Sequence, residues 1–186
     1  MKHLMYLTIS ALLILTAGCG EEFEWREFEF PEGGFKALMP GEVRVETHEV
    51  ASLVDTSRTI TLTSLDVQFM QALFIVSYNR LDSTELADPE EFLKQTRDRA
   101  VQASDGKLIE DREITLQGYP GRKIHLQRQG FLGQGNYYAR IFIAHDRIYQ
   151  VVASTMGGRR SLEEAAKRFL NSFKFLQAKP DSGQGR

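Results

Sequence analysis

The 186-residue chain sets 23 Lys+Arg against 25 Asp+Glu, with 42% hydrophobic residues, twelve Phe and one Cys. That is enough for one domain with a real core plus an address label, and the 26% of charged residues is a solvated surface, not a disordered composition. The near-neutral balance without a run of like charge excludes nucleic acid as a partner, since phosphate needs a basic face, and the lone cysteine excludes a disulfide framework.

Lys2 and His3 form a short polar segment, and Leu4 to Ala17 follows without a charge. That stretch falls short of the about 20 residues a helix needs to cross a bilayer. It fits the apolar region of an export signal. The run Leu15-Thr16-Ala17-Gly18-Cys19 resembles a bacterial lipobox, with Thr16 where Leu is usual and Leu15 one place further back. The resemblance implies cleavage before Cys19, removal of residues 1–18 and acyl chains such as palmitate on Cys19. The membrane is thus an expected partner, through lipid on Cys19. Cleavage takes Lys2 alone among the charged residues, leaving a net charge of −3. Gly20 stands where lipoproteins retained at the inner membrane carry Asp, so the expected location is the outer membrane if the host has two.

Residues 19–24 form the expected tether. Fully extended, the chain from Cys19 to Trp25 spans roughly 20 Å, which holds the domain close to lipid. Phe23 and Trp25 either open the first strand and pack inward, the preferred reading, or dip into the headgroup zone where aromatics are favoured.

The domain is expected over residues 25–176. Trp25–Phe30 and Phe35–Met39 are strands divided by the turn Pro31-Glu32-Gly33-Gly34. Pro40-Gly41 turns the chain into a strand at Val43 and Val45. Ile60 and Leu62 alternate with Thr59, Thr61 and Thr63, the period of a half-buried strand. Leu65–Gln71 is expected to bend, and Leu73–Tyr78, apolar on both faces, to be a central strand. A helix begins at Asp88 as cap, with Pro89 in its first turn and Glu91 three residues on. Phe92, Thr96, Ala100 and Ala103 give its apolar stripe, and Asp105-Gly106 its end.

Four more strands are expected at Lys107–Gln117, Arg122–Gln129, Tyr137–His145 and Arg147–Thr155. Tyr119-Pro120-Gly121 turns between the first two, a flexible loop Gly130–Asn136 joins the second pair, and His145-Asp146 makes a tight link to the last. Short links make these antiparallel neighbours. Ser161 and Glu164 read as a capping box for a second helix, whose stripe is Leu162, Ala165, Ala166, Phe169, Leu170 and Phe173. Residues 177–186 are expected to fray as a disordered tail.

Trp25-x-x-Phe28, Pro31-Glu32-Gly33-Gly34-Phe35, Met39-Pro40-Gly41, Gly118-Tyr119-Pro120-Gly121-Arg122 and Asp146-Arg147-Ile148-Tyr149-Gln150, in that order, resemble bacterial PsbP-like proteins of the wider Mog1/PsbP fold group. The resemblance runs from about residue 25 to 175. It implies an α+β fold, an antiparallel sheet flanked by helices as an α/β/α sandwich, agreeing with the elements above. Its motifs are turns and packing positions, so it carries no chemistry, and fold alone licenses no function.

Searching for chemistry returns little. His48, His125 and His145 lie 77 and 20 residues apart, matching no metal spacing. His125 sits on the Lys123-His125-Gln127-Gln129 face of its strand, expected to meet solvent. His145-Asp146 is explained by a turn. No G-x-S-x-G elbow exists, and Gly130-Phe131-Leu132-Gly133-Gln134-Gly135 lacks the Lys-Ser/Thr of a phosphate loop. Asp88, Glu90 and Glu91 suit a helix N-terminus.

Arg122, Arg140 and Arg147 are the candidate contact for an anion or partner, if they converge on one part of the sheet. The expected protein is therefore a non-enzymatic envelope lipoprotein with no cofactor or metal, whose domain contacts another envelope protein. The alternative is small-ligand or ion binding between sheet and helices, which a deep pocket with convergent polar groups would favour and a packed interior would count against.

Overall fold

The computed structural model describes residues 23–52, 57–130 and 133–177. The export signal, Cys19, residues 19–22 and the tail beyond 177 lie outside them. In chain order the elements are β1 (Arg26–Phe30), β2 (Phe35–Met39), β3 (Arg44–Ala51), β4 (Thr59–Gln68), β5 (Ala72–Arg80), α1 (Pro89–Ser104), β6 (Lys107–Leu116), β7 (Tyr119–Gly130), β8 (Gly133–Ala144), β9 (Arg147–Met156), α2 (Arg160–Ser172) and β10 (Lys174–Phe175).

Seven strands form one antiparallel sheet in the order β3-β4-β5-β9-β8-β7-β6, and β1, β2 and β10 form a second, smaller sheet. The fold is α+β, as expected. The small sheet is not, because β10 consists of two residues, and β1 and β2 read identically whichever sheet they join.

Side-chain alternation divides the large sheet into two faces. One carries Leu65, Phe74, Val76, Tyr149, Val151 and Phe142, and buries them against α2 and the small sheet. The other carries Ile124, Leu126, Ala139, Ile141 and Val152 beneath α1. The expected α2 stripe holds at every position: Leu162, Ala165, Ala166, Phe169, Leu170 and Phe173 are all buried. Phe169 meets Phe74 edge to face at 5.4 Å. Phe23 and Trp25 pack inward on Phe74, at 5.7 and 6.1 Å, and Arg168 lies over the Trp25 ring at 4.7 Å.

Several boundaries differ from expectation. The expected bend within Leu65–Gln71 falls at its end: β4 continues to Gln68, because Leu65 and Val67 find a covered face, and the chain then turns with the Phe69 N–H on the Ala72 carbonyl at 2.8 Å. The turn between β6 and β7 is Gln117-Gly118, both at positive φ (51° and 87°), the two-residue hairpin geometry that matches strand twist. Gln117 also bonds Phe175 in both directions, at 2.8 and 3.0 Å, tying the turn to β10. Tyr119-Pro120-Gly121 is therefore strand. Gly121 is needed for closeness rather than turning, since a Cβ there would lie 2.4 Å from the Ile141 carbonyl oxygen.

Most of the anticipated Gly130–Asn136 loop is also ladder, with Gly130 paired to Gly133. Phe131 and Leu132 lie outside the described residues. His145-Asp146 is the tight link expected, with His145 at φ 56°.

The helix starts diverge from each other. Asp88 accepts a hydrogen bond from the Glu91 N–H at 3.0 Å, the cap the sequence signals. The second helix is capped two residues earlier than read, at Arg159 rather than Ser161 and without a side-chain hydrogen bond. Glu164 pairs with Arg160 at 3.0 Å instead of closing a box with Ser161.

Candidate ligand cavity

α1 packs on β7 and β8 and leaves the rest of its sheet face to neighbouring side chains. Its buried residues are Phe92, Leu93 and Thr96, all in the first half. Along the expected stripe the side chains shrink from Phe92 to Ala100 and Ala103, then to Gly106 past the helix end. These small residues cannot fill the space above the sheet. What remains is a cavity of about 400 Å³ between the C-terminal half of α1 and β7–β9. Leu126, Met156, Ala100 and Ala103 supply its apolar wall.

Its polar complement is one-sided. Arg99 and Arg128 line it, and among the described residues no Asp or Glu does. Tyr137, Gln150 and Ser154 also line it, and Tyr137 and Ser154 face each other across the β8–β9 ladder. Burial pushes the Tyr137 phenol up to about 12, so it remains a protonated donor at neutral pH. A second hollow of about 260 Å³ continues along the other half of the helix, lined by Ile60, Leu62, Phe92, Thr96 and Ile148, and Gln150 lines both. Among the described residues the sole carboxylate lining either hollow is Glu85, at the far end.

The three arginines singled out from sequence do not converge. Arg122 and Arg140 sit on opposite faces, since the β7–β8 register pairs Arg122 with Ile141 and Arg140 with Lys123. Arg122 is buried and forks onto Asp111, with both contacts at 2.8 Å. A third side chain, Arg97 of α1, also bonds Asp111. Burial lowers the Arg140 pKa, and that guanidinium donates to the Leu170 carbonyl at 2.9 Å and to Asn171. Arg147 donates to the Glu32 carbonyl at 2.8 Å and lies over the Tyr78 ring at 5.1 Å. Each is absorbed by the fold, one between strand and helix, one at the end of α2, one beneath the β1–β2 turn. Sequence position could not show this, because strand alternation assigns faces but not their covers.

The histidines are held likewise. His48 meets Glu46 at 2.9 Å and His145 meets the Tyr119 hydroxyl at 2.8 Å. His125, expected in solvent, is half-buried, stacked on Tyr138 with centroids 4.4 Å apart and bonded to Asn136 at 3.0 Å. Its face lies on the side that α2 covers. Among the described residues no group of His, Cys, Asp or Glu could hold a metal ion, and no helix is long and apolar enough to cross a membrane. The cavity residues went unread in the sequence. The available signal was the shrinking α1 stripe.

No protein-family model matches the chain, and no curated protein matches it. Among solved structures it is similar to cyanobacterial PsbP (CyanoP) from Synechocystis, with a TM-score of 0.58 and 14% identity, over 86% of this chain and 96% of that one. The chain has the PsbP-like fold. A Pseudomonas aeruginosa protein of unknown function, PA94, aligns over 84% of this chain and 98% of its own at 10% identity, with a TM-score of 0.44, too distant to carry an argument.

Proposed function

We propose that this chain is an exported lipoprotein, held at the cell envelope by acyl chains on Cys19, whose PsbP-like domain is a non-catalytic accessory or interaction module. The observation that carries the reading is the run Leu15-Thr16-Ala17-Gly18-Cys19 after an apolar stretch, together with a packed domain that starts almost at once. Phe23 already meets Phe69 at 4.9 Å, so three residues separate the lipid-bearing cysteine from the core. An acyl anchor of two or three chains, each CH₂ contributing about 0.8 kcal/mol, holds such a protein on a bilayer. The engaged histidines and arginines support a role without catalysis. The domain's partner is another envelope protein.

The test is fractionation of cells expressing the full chain and Cys19→Ala. The parent is expected in membranes, labelled by palmitate, and the variant unlabelled and released from them. A Cys19→Ala protein that stays processed and membrane-bound would overturn the anchor.

The cavity beneath α1 favours a second reading, a small-ligand-binding domain at the envelope. A concave, mainly apolar site with a few polar groups is where small molecules bind.

A further inference from the structure

We propose that the cavity beneath α1 binds a single-chain amphiphile, its aliphatic tail along the groove and an anionic head between Arg99 and Arg128. The proposal rests on the second reading above and names its ligand class; it does not need the anchor.

Shape argues for the tail. The two hollows follow the flank of α1, share Gln150 in their walls, and have lining residues spread from Ile148 to Met156 along β9. At about 3.3 Å per residue that row is roughly 26 Å long. A compact ligand would leave most of it empty, whereas an extended hydrocarbon chain matches both its length and its apolar wall. Burying that chain is favourable in proportion to the apolar area it removes from water.

Charge argues for the head. Among the described residues, two guanidinium groups and no carboxylate stand around the larger hollow, and the one carboxylate of the slot, Glu85, lines the opposite end. Glu85 is itself spent on the Asp82 N–H, at 2.8 Å. The groove is thus polarised along its length, positive at the wide end. The Tyr137 hydroxyl, the Gln150 amide and the Ser154 hydroxyl add donors there, none with a hydrogen-bond partner among the described residues. The hydroxyls and the amide can also accept, so the preference for an anion over a neutral head comes from the two guanidinium groups, which only donate.

Location supplies a source. Arg128 and Ala103, both exposed, mark the rim at the end of the sheet where β9 finishes. There the Met156 N–H bonds the Gln71 carbonyl at 2.9 Å, one hairpin from the Phe69 ring that holds Phe23. The rim and Phe23, the first described residue, therefore share one end of the domain. Met70, 89% exposed at the tip of that hairpin, is apolar as well. A lipid-anchored protein would hold this opening toward the bilayer.

The experiment uses the mature chain with Cys19→Ser, which carries no acyl chains of its own, titrated with the fluorescent fatty acid cis-parinaric acid and competed with oleate or oleyl alcohol. Saturable binding of one probe per chain is expected, with oleate displacing it at least about tenfold better than the alcohol. Ala103→Phe, which fills the hollow, is expected to weaken binding of both competitors. Arg128→Glu, on the exposed rim and without cost to folding, is expected to weaken oleate by about tenfold or more and leave oleyl alcohol unchanged. Absence of saturable binding overturns the proposal, as does an Ala103→Phe protein that is folded and binds like the parent. Equal displacement by oleate and oleyl alcohol overturns the anionic head. None of these results bears on membrane fractionation of the full chain, so the anchor stands or falls separately.

Discussion

Asp111 of β6 and Arg122 of β7 form a two-pronged ion pair, Oδ1 to Nε and Oδ2 to Nη2, each at 2.8 Å. The side chains are 13% and 8% exposed, and Arg97 reaches the same carboxylate from α1. One carboxylate therefore joins two strands and the helix that covers them. Arg97 stands two residues before Arg99, where α1 begins to line the cavity.

Removing the acid from this pair leaves two cations facing each other near the protein interior. Asp111→Asn should destabilise the domain by about 3 kcal/mol, the scale for breaking a buried pair by one partner. The Arg122 hydrogen bonds, with Arg97, hold the Asp111 carboxyl below its ordinary range. A carboxyl depressed in the folded state stabilises fully above its unfolded pKa of about 3.9, and that stability fades as pH falls through the lower folded value. Urea unfolding at neutral and acid pH should show the Asn variant and parent converging below pH about 3.9. A gap that persists in acid would refute the electrostatic account.

Two glycines separated by two residues should behave differently. Gly118→Ala places a Cβ in open space at φ 87°, so its cost is the left-handed backbone alone, about 1 kcal/mol. Gly121→Ala drives a Cβ to 2.4 Å from the Ile141 carbonyl and 2.5 Å from the Phe142 ring, which the β7–β8 ladder can relieve only by opening. Its expected cost is about 3 kcal/mol. Thermal unfolding of both decides it, and equal shifts would mean that β8 yields easily.

The helix caps make an opposed pair. Asp88→Ala removes a bond the structure contains and should cost about 1 kcal/mol, roughly 3 °C in Tm for a domain of this size. Ser161→Ala removes a box that does not form, because α2 starts on Arg159, and Tm should stay within about 1 °C. A loss on Ser161→Ala equal to that of Asp88→Ala would restore the box.

Phe169 is fully buried against Phe74 at the contact between α2 and the large sheet. Phe169→Ala should cost about 4 kcal/mol, transfer and cavity together. Chemical denaturation measures it. A loss below about 1.5 kcal/mol would show that α2 closes over the gap.

Much of the fold was legible in the residues themselves. The period of two over residues 59–63, the apolar stripe from Leu162 to Phe173, and the Asp88 cap each act within one element or its nearest neighbours. Turn chemistry was read less well. Pro120-Gly121 has the composition of a turn, yet Gln117 takes positive φ because β10 receives its side chain, a partner 58 residues away.

What the sequence by itself determined is the set of elements, their apolar faces and a leader with the form of an export signal, because those follow from local period, composition and spacing. What only the tertiary structure decided is what lies over each face. α2 and the small sheet cover much of one side, which half-buries His125 and Arg140, while α1 covers part of the other. Arg122, Arg140 and Arg147 look alike along the chain and end in three separate bonds. Arg99, Arg128 and Tyr137 look unremarkable along the chain and line one cavity. The reason is geometric: alternation places a side chain on a face, but the space above it depends on a helix whose side chains shrink from Phe92 to Ala103.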